Sequence, residues 1–64
     1  MINLTRLNGE RFALNIDLIE TMEETPDTIV TLTTGKKLLV KESIQKIRED
    51  IIKFRKMAFT NLKK

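Results

Sequence analysis

Hydrophobic and polar residues alternate with period two from the first residues of the chain. Ile2 and Leu4 are separated by Asn3 and followed by Thr5, the pattern of a half-buried strand. Leu7 leads into Asn8-Gly9, and both residues accept the positive φ of a two-residue type I′ hairpin turn. The return strand then runs Glu10 to Leu14, with Phe12 and Leu14 on one face.

Asn15-Ile16-Asp17 breaks the alternation, because short polar side chains compete for local backbone hydrogen bonds and favour a turn or a single 3₁₀ turn. Leu18 and Ile19 restart an extended run through Glu24. A helix over Asp17 to Glu24 competes, since Asp17 suits an N-cap and Leu18, Ile19 and Met22 have usable spacing. Strand is the better reading of so short a run, with Thr25-Pro26-Asp27 as the following turn and Pro26 at turn position i+1.

Thr28 to Thr33 reads TIVTLT, a β-branched run that places Thr28, Val30 and Leu32 on one face. Thr34-Gly35-Lys36 is a turn whose glycine supplies positive φ. Lys37 to Val40 is the last strand, with Leu38 and Val40 toward the core. Ile29 and Leu39 then point away from the core, toward a helix, a partner or a second layer.

Beyond Glu42-Ser43, where either residue can cap, the period changes. Ile44, Ile47, Ile51, Phe54 and Ala58 recur at spacings of three and four, an amphipathic helix running to Lys64. Ile52, Phe59 and Leu62 widen its stripe. Such a helix is about 33 Å long at ~1.5 Å per residue, whereas strands of this length span about 17–20 Å. It therefore overshoots its own sheet, and its distal third needs another surface or frays. The expected fold is α+β: a small, antiparallel, strongly twisted five-stranded meander sheet or open barrel, followed by one long C-terminal amphipathic helix. A single domain covers 1–64, with the sheet in 1–41 and the helix in 42–64.

Composition narrows the chemistry. With no cysteine and no histidine, disulfides, thiolate metal sites and the commonest general base are absent. Ser43 consequently has no partner for a conventional nucleophile triad. Glu20, Glu23 and Glu24 do not converge on a regular strand, where Glu20 and Glu24 share a face and Glu23 opposes them. They read as solvated charge flanking a turn, and the threonines of 28–34 as β-propensity. No enzyme activity, cofactor, metal or small-molecule substrate is expected.

Charge is divided unevenly. Residues 1–35 hold two basic and six acidic side chains, a net −4; residues 36–64 hold ten basic and three acidic ones, a net +7. The two halves suit different neighbours, or copies of the chain attract one another. The segment KFRKMAFTNLKK interleaves Lys53, Arg55, Lys56, Lys63 and Lys64 with Phe54 and Phe59. Four readings fit it: a solvated helix packed on its own sheet, a partner-binding or self-assembling helix, a phosphate-binding helix, or an interfacial helix on an anionic membrane. The candidate interaction surface is Lys53, Phe54, Arg55, Lys56, Phe59 and Leu62, with Ile29 and Leu39. The overlong helix, the small core and the outward Ile29 and Leu39 predict a homo-oligomer. MINLTRLNGE has neither a basic n-region nor an apolar h-region, and the longest apolar runs fall far short of a spanning helix, so a cytoplasmic protein is expected.

The turns Asn8-Gly9, Thr25-Pro26-Asp27 and Gly35-Lys36, in that order ahead of Val40-Lys41-Glu42-Ser43, carry a resemblance over nearly the whole chain. With INLTRLNG and LNIDLIE before them, they resemble the small flagellar FlbD family, also known as the SwrD swarming-motility proteins. The resemblance implies a non-enzymatic bacterial cytoplasmic protein, possible at the periphery of the flagellar motor, that supports motor torque through the stator by protein–protein contact. It implies contact with the membrane only through a protein partner, and no site residues transfer with it. Over a shorter span, IETMEETPDTIVTLTTGKKLLVKESI also resembles the β-rich LytTR-type DNA-binding domain. The alternative function is therefore a small nucleic-acid-binding regulator that uses the basic helix.

Overall fold

In the computed structural model, backbone is described for residues 1–62 and side chains for residues 1–58. The element order is β1 (Ile2–Thr5), β2 (Arg11–Leu14), a 3₁₀ turn (Ile16–Leu18), β3 (Ile19–Glu24), β4 (Thr28–Leu32), β5 (Lys37–Val40) and α1 (Ile44–Leu62). The α+β class and five strands are as the sequence implies. The strands, however, form two antiparallel sheets, β1-β2 and β3-β4-β5, in place of one meander sheet, and they do not close a barrel. The break falls at the 3₁₀ turn. Asn15 starts it by accepting the Asp17 N–H on its side chain at 3.0 Å and the Leu18 N–H on its carbonyl at 3.0 Å. The chain is thereby carried out of β2 before β3 begins, and the competing helix over Asp17 to Glu24 does not form.

The two sheets meet where β1 ends. Arg6 bridges Val40, and the Lys41 N–H donates to the Thr5 carbonyl at 2.8 Å. Leu4, Ile2, Leu14 and Ile16 from the first part and Val30, Leu32, Leu38 and Val40 from the second form one buried cluster with Ile47 of α1. Thr28 is buried beside them. The face assigned to Thr28, Val30 and Leu32 is thus the core face. Ile29 and Leu39 pair across β4 and β5 on the opposite face, the first half-buried and the second exposed.

The two glycine turns have the same geometry. In the first, the Gly9 N–H donates to the Arg6 carbonyl at 2.9 Å and the Arg6 N–H to the Glu10 carbonyl at 2.8 Å. In the second, Gly35 donates to Leu32 at 2.8 Å and Leu32 to Lys36 at 2.8 Å. Each is a three-residue loop with glycine in the left-handed region, φ +93° at Gly9 and +92° at Gly35. The type I′ turn expected at Asn8-Gly9 is thereby corrected. Asn8 has negative φ and sits with Leu7 at the centre of the turn, while its Oδ1 accepts the Glu10 N–H at 2.9 Å. Between β3 and β4 the Thr25 N–H donates to the Asp27 carbonyl at 3.3 Å, and the Thr25–Pro26 peptide bond is cis.

β3 carries a one-residue irregularity. Ile19 pairs with Leu32 but Thr21 pairs with Thr31, so Glu20 is the extra residue of a bulge. The bulge breaks strict alternation. Ile19 and Met22, three positions apart, both pack against the core. The assignment of Glu20 and Glu24 to a shared face fails for the same reason.

Candidate functional site

The helix begins at a doubly satisfied end. Ser43 is the N-cap, its Oγ accepting the Lys46 N–H at 3.1 Å. Glu24 reaches from the end of β3 to accept the Ile44 N–H on Oε1 at 2.9 Å, which also places a carboxylate at the positive end of the helix dipole. Glu42 does not cap. Its Oε1 accepts the Thr5 N–H and its Oε2 the Thr5 hydroxyl, both at 2.8 Å. Burial on its own would raise the Glu42 carboxyl. The two bonds from Thr5 and the nearby charge of Arg11 outweigh it and hold the group below its ordinary value. The carboxylates around the turn and the helix start are therefore spent on architecture: Glu24 on the helix, Glu42 on β1.

From this anchored start α1 runs outward. Ile47 is fully buried and Ile51 half-buried against the core. Every residue from Ile52 to Ala58 is exposed. The molecule measures 41 × 23 × 19 Å, longer than its strands, as expected of a helix that overshoots. Phe54 is 41 % exposed and Met57 67 %, although Phe54 lies on the same stripe as Ile47 and Ile51 at helical spacing. Two open grooves of about 330 and 510 Å³ flank Phe54, each with room for side chains of another molecule. The first lies toward Met57, Lys46, Asp50 and Lys53. The second lies toward Asp17, Arg55 and Ala58. Met1 lines both.

The surface marked in the sequence is thus divided. Lys53, Phe54, Arg55 and Lys56 are all exposed on α1 but point to different sides of it, Lys53 toward one groove and Arg55 toward the other. Ile29 and Leu39 lie on the outer face of the three-stranded sheet, away from the core that Ile47 joins, and are not brought to the helix. The side chains of Phe59 and Leu62, and all of Lys63 and Lys64, lie outside the described residues. Met1, Asp17 and Asp50 belong to the helix surface but were absent from the candidates. The i,i+4 spacing of Lys46 and Asp50 gave a signal for Asp50, which pairs with Lys46 at 3.0 Å. Met1 and Asp17 gave none, because they arrive from the residue before β1 and from the 3₁₀ turn.

Two features decide what this surface can do. Its centre is apolar and its rim holds both signs of charge, with Arg55 Nη2 4.0 Å from Asp17 Oδ1. No group of three or more acidic side chains that could hold a metal ion occurs among the described residues. No helix among them is long and apolar enough to cross a membrane.

The family model for FlbD, described as flagellar and swarming motility proteins, matches residues 1–59. No curated protein and no solved structure matches the chain.

Proposed function

Because the chain belongs to the FlbD family of flagellar and swarming motility proteins, we propose that it is a non-enzymatic accessory protein of the bacterial flagellar motor. It promotes torque by binding a stator or motor component through the distal part of α1. The observation that carries this reading is the exposed run Ile52–Ala58, an apolar and basic helix segment held beyond the core by an anchored first turn. Lys53 and Arg55 on that run can meet individual acidic groups of a partner and speed encounter with it. The structural use of Glu24 and Glu42 supports action by binding over catalysis. Its working place is the cytoplasmic side of the motor.

The test is genetic and mechanical. Motile cells lacking the protein, or carrying Lys53→Glu with Arg55→Glu, should build flagella in normal number but swim with reduced torque under viscous load. Loss of filaments, or unchanged torque, would sink this reading. The alternative, a nucleic-acid-binding regulator, rests on the same exposed cations. It requires DNA binding that weakens steeply with salt and disappears in the same double variant.

A further inference from the structure

We infer that the apolar face of distal α1 is a two-fold contact between copies of this chain, with Phe54 at its centre and Met1 and Met57 beside it. Three observations converge on a second copy as the occupant. The face continues the stripe that buries Ile47 and half-buries Ile51, yet it is uncovered from Ile52 onward. Its centre carries no charge. Its rim carries both signs on both sides, Asp17 with Arg55 along one groove and Asp50 with Lys46 and Lys53 along the other.

A two-fold contact brings one patch against itself, so the patch must be its own complement. A mixed rim around a neutral centre meets that requirement. A uniformly acidic partner or an anionic lipid surface would face Asp17 and Asp50 unfavourably. Across the two-fold, Arg55 of one copy can approach Asp17 of the other, since the pair within one copy is at 4.0 Å with both side chains largely exposed. Lys53 and Lys56 project from the side of the helix opposite Ile51. Pairing through the Phe54 face leaves Lys56 on the outside of the dimer, while Lys53 stays at the rim of the contact. The inference does not depend on the motor reading, because it is measured on purified protein.

Sedimentation of the full chain from micromolar to millimolar concentration should show a mass rising toward twice the 7.5 kDa of one copy. Phe54→Asp should weaken the dimer roughly tenfold or more while leaving the far-ultraviolet circular dichroism unchanged. Met57→Glu, at a more exposed position, should weaken it several-fold and serves if Phe54→Asp fails to fold. Asp17→Arg and Arg55→Asp should each weaken association, and the double variant should restore it. A monomer at every concentration would overturn the inference. So would a dimer indifferent to Phe54→Asp and Met57→Glu, or a monomer that instead pellets with phosphatidylglycerol vesicles.

Discussion

Glu42 grips Thr5 at two points, Oε1 on its N–H and Oε2 on its hydroxyl, each at 2.8 Å. The residues are 37 positions apart in sequence, and the clamp ties the first strand to the segment that enters the helix. Glu42→Gln leaves the shape but replaces an oxygen with an amide donor facing donors, and should lower the unfolding free energy by about 1–2 kcal/mol. Thr5→Val removes one bond of the two and should cost about half as much. Urea unfolding monitored by circular dichroism measures both.

The same pair sets a pH dependence. The Glu42 carboxyl is held below its ordinary value in the folded chain, so the unfolded chain takes up a proton more readily. Its stabilisation is therefore complete above the ordinary value of 4.5 and is lost as pH falls through the lowered folded value. The stability difference between wild type and Glu42→Gln should be constant at neutral pH and shrink below about pH 4.5. A difference that grows on acidification would contradict the clamp.

The start of α1 depends on two acceptors from different parts of the chain. Ser43→Ala should cost about 1 kcal/mol. Glu24→Ala should cost a similar amount and lower helicity at 222 nm, although Glu24 lies outside the helix. The two satisfy different N–H groups, Lys46 by Ser43 and Ile44 by Glu24, but on the same first turn, so the double loss should fall short of the sum once that turn has frayed.

Gly9→Ala and Gly35→Ala should each destabilise by about 1–2 kcal/mol, since a side chain in the left-handed region is strained. Nothing lies within 4 Å of the Cβ that either change would add, so the penalty is conformational and not steric crowding by neighbours. Asn at either position should recover much of the loss. Thermal melts of the two alanine variants should move down together, as the twin geometry requires.

Ile47 is the point at which the helix joins the core, and it is 0 % exposed. Ile47→Val should cost about 0.5–1.5 kcal/mol and Ile47→Ala about 2–5 kcal/mol. For a chain of this size the second figure approaches the whole stability, so Ile47→Ala should be largely unfolded at room temperature by circular dichroism.

The elements were legible because their signals are local. The β-branched run at Thr28–Leu32, the two glycine turns and the spacing of Ile44, Ile47 and Ile51 need no distant partner to be read. What sequence reasoning missed depends on distance. The bulge at Glu20 arises from the register between β3 and β4, and no residue type demands it. The type I′ expectation weighed Asn8-Gly9 alone, whereas the position of the strand pairs shifts the turn by one residue onto Leu7-Asn8. Glu24 gave no hint of a cap because it lies twenty residues from Ile44. At the candidate site, the basic and apolar run on α1 was visible in advance. Met1 and Asp17 were not, since only the fold carries the first residue and the 3₁₀ turn up to Phe54. Ile29 and Leu39 were placed on the correct face, but their grouping with the helix assumed a proximity that the two-sheet arrangement denies.

The bulge at Glu20 has a consequence for crowding. β3 pairs only with β4 among the described strands, so its other side offers unpaired backbone groups to any extended chain that drifts near. The kink interrupts that rim, and the exposed carboxylates of Glu20 and Glu23 surround it with like charge. A strand from a neighbouring copy meets repulsion and broken register there, the two devices that keep natural sheets from seeding fibrils. At high local concentration this edge of β3 therefore resists knitting copies of the chain into a shared sheet.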